Sequence, residues 1–266
     1  MRLFHAELEI DECVAEMWLN DIPLQRMVPG GVINVAVPAH IFLFSGVNTL
    51  ELLVHPGPRP SQARTGLPGA RPGGNAFARL AAYQPGQFTG DPSAPVYAQL
   101  SWNSATAMSG AYPRSIRATG DLGGMFGRWH WQDGDPLELD PNTIGSASQT
   151  LDVIRRSLAA GNPDGFLRLA EQRFDNFSRA YPARSYETLV REFREGVAEG
   201  ASDPGWVFPE LDPRQFDFRV VGGGRLLQCI NTDWSPTLRT FPLEDGDPNY
   251  YPTYLCRVNS RWQVAI

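Results

Sequence analysis

The chain has 266 residues, more than a typical domain of roughly 100–150 residues, so two domains are expected. At 42% hydrophobic and 20% charged it can bury a core and is not a disordered polypeptide. A formal net charge of −6 argues against non-specific DNA or RNA binding, which needs basic side chains to neutralise phosphates, and fits docking on a basic protein surface.

Residues 3–10 alternate, with Phe4, Ala6, Leu8 and Ile10 on one face and Glu7 and Glu9 on the other. This period of two predicts a strand with one solvated face. Residues 14–19 follow as a strand, then the turn-prone Asn20-Asp21-Ile22-Pro23, then β-branched or apolar strands at 32–37 and 48–55. Residues 57–74 are rich in Pro, Gly and Arg without an apolar period and are predicted as an exposed, mobile loop. Strands resume at 76–83, 96–102 and 127–132.

The pattern changes near residue 142. Ser146 with Gln149 reads as a capping box for a helix that buries Leu151, Ile154 and Leu158 and ends at Gly161. Asn162-Pro163 opens a second helix with a stripe of Phe166, Leu169, Ala170, Phe174 and Phe177, Arg173 lying at its edge. Ser185 caps a third, with Leu189, Val190, Phe193 and Val197 inward and a loose end at Gly196 and Gly200. Strand patterns return at 215–221, 225–231, 237–241, 250–258 and 262–266, and Gly222-Gly223-Gly224 marks a hairpin. The expected fold is therefore mixed α and β. An antiparallel, β-sandwich-like domain spans 1–138, and a compact α+β domain of three helices followed by a curved antiparallel sheet spans 139–266.

The odd set Cys13, Cys229 and Cys256 has no C-x-x-C spacing, so neither a disulfide scaffold nor a cysteine metal site is expected. The start Met1-Arg2-Leu3-Phe4-His5 runs into acids unlike a secretory signal, and no apolar run is long enough to span a bilayer. The expectation is a cytoplasmic protein.

Four isolated histidines, His5, His40, His55 and His130, lack metal-ligand spacing. His130 lies near Asp133 and Asp135, but Asp133-Gly134-Asp135-Pro136 is a turn sequence and recurs at residues 245–248. No Gly-x-Ser-x-Gly elbow or phosphate loop is present. Carboxylates are plentiful, and whether any two form a glycosidase pair is a matter of three-dimensional separation. No cofactor, metal site or catalytic residue is assigned, and the chain is read as a non-enzyme. Acids do cluster on expected loops: Asp133, Asp135, Glu138 and Asp140, then Glu244, Asp245 and Asp247, with Glu7, Glu9, Asp11 and Glu12 on the first strand. Such a cluster is either a solvated face that keeps the protein soluble or a landing surface for a basic partner. The seven loop acids are the candidate partner-binding residues. Trp129, Trp131, Trp206, Trp234, Tyr250, Tyr251 and Tyr254 are candidate aromatic anchors.

Trp18-Leu19-Asn20-Asp21-Ile22-Pro23-Leu24 with Val47-Asn48-Thr49-Leu50-Glu51-Leu52 resembles the jelly-roll sugar-binding domain attached to some glycosidases, with Asp21 where that pattern has Gly. The whole layout, carried by residues 151–197 and 216–266, is similar to cytoplasmic immunity proteins encoded beside type VI secretion effectors of Gram-negative bacteria. That resemblance implies stoichiometric inhibition of a cognate toxin, such as a nuclease with a basic cleft, with no direct nucleic-acid or membrane contact. The competing expectations are a carbohydrate-binding module and an enzyme with a pocket in a helix-plus-curved-sheet domain.

Overall fold

The alternating runs near the N-terminus do form strands. In the computed structural model, which describes residues 2–31, 33–65, 73–106, 112–242 and 248–266, the chain is a mixed α and β protein with antiparallel sheets. It divides into two units, Met1–Arg128 and Trp129–Ile266.

The first unit contains β1 (Leu3–Asp11), β2 (Ala15–Leu19), β3 (Ile22–Met27), β4 (Asn34–Pro38), β5 (Val47–Val54), β6 (Asn75–Tyr83), β7 (Val96–Asn103) and β8 (Arg114–Asp121). They form two four-stranded sheets, β4-β1-β6-β7 and β3-β2-β5-β8. On β1 the buried face is Phe4, Ala6, Leu8 and Ile10, opposite Ala82, Leu80, Ala78 and Ala76 of β6. Bulky residues largely meet alanines, which fills the layer between the sheets without overpacking. Met17 and Leu19 pair with Leu52 and Leu50 in the other sheet. Each fully buried side chain of this size contributes about 1.5–3 kcal/mol.

Two strands escape the periodicity. In β3, Pro23 cannot donate to a ladder, yet β3 lies at a sheet edge, where proline is tolerated. The β2–β3 hairpin turns on Asn20 (φ 52°) and Asp21 (φ 63°), the paired positive dihedrals of a type I′ turn. In β8 the inward positions shrink to Ile116, Ala118 and Gly120, too small to announce a strand. A Cβ on Gly120 would lie 2.5 Å from the Tyr97 carbonyl oxygen, so β7 and β8 approach closely only because that side chain is missing.

The predicted loop at 57–74 is corrected in part. Residues 66–72 lie outside those described, but residues 60–62 form a 3-10 turn, Pro60 and Ala63 are buried, and Arg64 is tied down by ion pairs. Arg64 stacks over Trp18 at 4.3 Å and pairs with the buried Glu51, which also receives Arg117 at 3.1 Å and Ser115 at 2.8 Å. Burial alone would raise the Glu51 carboxyl. The Arg64 and Ser115 hydrogen bonds and the charges of Arg64 and Arg117 outweigh it and hold the group below the usual carboxylate range.

In the second unit, α1 (Pro141–Ala159), α2 (Asp164–Leu169), α3 (Glu171–Ala180) and α4 (Tyr186–Gly200) precede β9 (Arg219–Val221), β10 (Leu226–Cys229), β11 (Leu238–Arg239), β12 (Tyr250–Tyr251), β13 (Thr253–Val258) and β14 (Arg261–Val264). Strands β14-β13-β10-β9 make one antiparallel sheet and β11-β12 a short ribbon. Leu227, Leu255 and Val264 lie side by side across the sheet and join Leu151, Ile154, Leu158, Phe166, Phe174, Leu189 and Val197 in one core. Gly222, Gly223 and Gly224 all take positive φ in the β9–β10 hairpin, as the sequence indicated.

Four local expectations are overturned here. Residues 130–133 form a 3-10 turn and not part of a strand. Helix α1 begins five residues before Ser146: Asp140 caps it by accepting from the Thr143 amide at 2.6 Å, and the Ser146 hydroxyl bonds to the Thr143 carbonyl inside the helix. The single helix expected after Asn162 is two, broken at Ala170, whose amide bonds to both Phe166 and Leu167 carbonyls. Ser185 caps α4 through the Thr188 amide, as read, but Gly196 sits inside the helix.

Candidate functional site

The acidic stretch before α1 is hydrogen-bonded to strand β13 and to the β9–β10 turn. The Asp135 amide donates to the Arg257 carbonyl at 2.6 Å and the Leu137 amide to the Gly224 carbonyl at 2.8 Å. Leu137 itself enters the core. The Asp135 carboxylate accepts from the Ser260 amide at 3.1 Å and lies 3.7 Å from Arg257, so part of its charge is used within the protein. Asp140 is likewise occupied as the helix cap, and the Thr143 amide holds its carboxyl below the usual range. Asp133 and Glu138 are exposed on this fixed segment. Glu244, Asp245 and Asp247 lie outside the described residues. Of the four candidate acids with described positions, Asp135 and Asp140 bond within the protein, and Asp133 and Glu138 are exposed.

Of the candidate aromatic anchors, Trp129, Trp131, Trp206 and Tyr254 are buried, whereas Tyr250 is 51% exposed. Phe241, which the sequence did not single out, is equally exposed. Both line a cleft of about 610 Å³ with Glu210, Asp212, Phe216 and Arg239, and in sequence they bracket the Glu244–Asp247 acids. Asp212 is engaged by Arg214 at 3.0 Å and Arg239 by Asp233 at 3.4 Å.

His130 has a carboxylate partner, though neither of its sequence neighbours. Its Nε2 lies 2.7 Å from Asp175 Oδ2 on α3, and its amide donates to the Asn176 side chain at 3.3 Å. Arg179 stands 3.7 Å from the same Asp175 oxygen. The dyad opens on a cleft of about 590 Å³ whose walls include Arg168, Glu171, Gln172, Tyr186 and Gln263. The side-chain oxygens of Gln172, on α3, and Gln263, on β14, are both buried with no hydrogen-bond donor. An unsatisfied buried acceptor costs about 1–3 kcal/mol, and two at one cleft call for an explanation. Neither glutamine carried any motif; only His130 was visible from sequence.

Nearby, Arg173 is half-buried between Phe166 (5.7 Å) and Phe177 (5.6 Å), and burial lowers its guanidinium to about 10. The aromatic faces supply the attraction that a carboxylate would otherwise provide. Among the described residues, no group of three or more His, Cys, Asp or Glu is placed to hold a metal ion, and no helix is long and apolar enough to cross a membrane.

The asparagines that carry the sugar-domain resemblance are engaged with the protein itself. Asn20 donates to Asn48 Oδ1 at 2.7 Å and to the Phe42 carbonyl at 2.8 Å, and accepts from the Thr49 amide at 2.9 Å. Asn48 donates to the Phe44 and Gly46 carbonyls and accepts from the Phe44 amide. The pair closes the 39–48 segment onto the β2–β3 turn. Comparison of the chain with protein-family models, curated proteins and solved structures finds no match.

Proposed function

We propose that the chain is a non-catalytic binding protein that neutralises a cognate bacterial toxin by forming a stoichiometric complex, as immunity proteins do. One observation carries this reading: the entire net charge belongs to one unit. Residues 1–128 hold nine arginines and nine acids, whereas residues 129–266 hold fourteen arginines and twenty acids. The first unit we read as a neutral, sandwich-like module of two sheets, and the second as the α+β body that meets a basic partner.

Such a charge excess steers association and discriminates against acidic competitors more than it adds affinity. Affinity needs desolvated anchors, and half-exposed Phe241 and Tyr250, next in sequence to Glu244, Asp245 and Asp247, supply the aromatic chemistry that dominates such contacts. The backbone hydrogen bonds of Asp135 and Leu137 hold the segment that carries Asp133 and Glu138, which lowers the ordering cost of that encounter. A basic cleft, such as one that holds nucleic acid in a nuclease toxin, has the complementary sign.

The test is co-purification with the protein encoded by the neighbouring gene, followed by titration. The expected result is a near-equimolar complex that weakens at least tenfold when the seven loop carboxylates become amides, and that weakens with added salt. Turnover of a small substrate by the purified chain would refute the reading. So would a complex indifferent to both salt and the seven substitutions.

A further inference from the structure

We propose that β4 is a dimerisation strand, through which two copies of the chain pair edge to edge, antiparallel about Val35, and join their β4-β1-β6-β7 sheets into one of eight strands. The inference concerns the first unit and stands apart from the acidic docking surface.

Four strands end the two sheets of that unit: β4, β7, β3 and β8. An open edge accepts a further strand unless charge, proline or a close neighbour blocks it. Arg114, Arg117 and Asp121 lie on β8, and Pro23 and Arg26 on β3. β8 approaches β7 closely at Gly120, where a Cβ would lie 2.5 Å from the Tyr97 carbonyl oxygen. By contrast, β4 reads Asn-Val-Ala-Val-Pro, without a charged residue, and none of its positions is buried.

The register on β1 fixes which groups of β4 are free. The Ile10 amide donates to the Ile33 carbonyl, and the Ala39 amide to the Phe4 carbonyl. Val35 and Val37, between them, therefore turn their backbone groups to β1, and alternation turns those of Asn34 and Ala36 outward. Neither of those amides has a partner among the described residues. Val35 and Val37 stand opposite the buried Leu8 and Ala6 and so face the inside of the sandwich, yet both stay half-exposed. Ile33, opposite the buried Ile10, is 67% exposed. This edge lacks both hydrogen-bond partners and apolar cover.

A second copy supplies both. With the two-fold axis at Val35, Asn34 of one copy meets Ala36 of the other, and every outward amide of the two strands gains a carbonyl. On the inner face Val35 meets Val35 and Ile33 meets Val37, which makes apolar cross-strand pairs throughout. Pro38, which has no N–H, falls outside these bonds. An axis at Ala36 would instead set Pro38 against Asn34 and leave the Asn34 carbonyl without a donor, so the Val35 register is the self-complementary one. On the outer face, Glu9 of one copy and Glu7 of the other lie three strand spacings apart, roughly 14 Å. That exceeds the screening length of about 8 Å in physiological salt, so the contact carries no like-charge penalty.

The test is sedimentation of the full chain over a wide concentration range, joined to amide hydrogen exchange followed residue by residue by NMR. The expected result is a reversible monomer–dimer equilibrium that salt does not weaken, unlike the toxin complex, with exchange at Asn34 and Ala36 slowing as the dimer forms. Ala36→Pro removes an outward N–H without touching the β1 ladder, at an edge where proline is tolerated, and should weaken the dimer at least tenfold. Ile33→Lys, at a largely exposed side chain, should do the same and serves should the proline variant not fold. A chain that is monomeric at every concentration overturns the proposal. So does a dimer that salt dissociates, that leaves exchange at the two amides unchanged, or that either folded variant forms as tightly as the parent. Protection of those amides only when the toxin is added assigns the edge to the toxin and overturns self-pairing.

Discussion

Glu51 is the residue whose loss should most clearly reveal how the first unit holds its loop. The carboxylate is 4% exposed and accepts from Arg64, Arg117 and Ser115. Glu51→Gln keeps the shape and one acceptor oxygen but removes the charge and turns an NH2 toward a guanidinium. Hydrogen bonds to charged groups are worth about 1.5–3 kcal/mol each, against about 1 for neutral ones. Arg64 and Arg117 are 38% and 59% exposed, so both can turn to water, which screens much of the loss. The net cost should be about 2 kcal/mol, or roughly 6 °C in the melting temperature of a unit this size.

The pH dependence separates this from a packing defect. A carboxyl held low in the folded state adds stability above its unfolded pKa of about 4.3, and that contribution is lost as pH falls through the lower folded value. The gap between parent and variant should be full at pH 7 and narrow steadily below about pH 4. Thermal melts followed by circular dichroism across that range measure it. A gap that is absent at pH 7, or that stays constant into acid, refutes the reasoning.

Three further outcomes follow from the packing. Gly120→Ala should destabilise the first unit by about 1–3 kcal/mol in urea titrations, because the new methyl meets the Tyr97 carbonyl; a neutral result would mean the β7–β8 approach is looser than described. Asn20→Ala strips the Asn48 oxygen, the Phe42 carbonyl and the Thr49 amide of partners and should cost about 2–3 kcal/mol by the same assay, while leaving titration with a glycan panel unchanged. All three thiols are buried, and burial pushes Cys13 and Cys229 up and Cys256 to about 12. An aromatic disulfide reagent should therefore label none in the native protein and three in guanidinium chloride, and fast native labelling would contradict the burial.

Much of the local structure was legible because it is written in short-range periods. The alternation of Phe4, Ala6, Leu8 and Ile10 specified β1 and its buried face, the glycine triplet specified the β9–β10 turn, and Ser185 specified the start of α4. Those signals need only neighbours one to four residues away. Where the signal was ambiguous at that range, it misled. Ser146 with Gln149 fits a cap as well as Asp140 does, and only the observed backbone shows which residue lies outside the helix. Pro23 reads as a strand breaker, and only the edge position of β3 makes it harmless.

Charge and chemistry were harder to read, because pairing is a property of space. Glu7 alternates like a solvent-facing residue, yet it is buried and accepts from Tyr83 and from Arg79, which lie seventy or more positions away. His130 was read beside Asp133 and Asp135, and the folded chain gives it Asp175 instead. The sequence by itself determined most of the element types, the turn chemistry of the β9–β10 hairpin and the excess of acid in the second half. The tertiary structure alone decided which acids are spent internally, how Asn20 and Asn48 are engaged, and that Gln172 and Gln263 meet at one cleft. The reason is range: backbone preferences act within a few residues, while burial and hydrogen-bond partners are settled by strands and helices packed from distant parts of the chain.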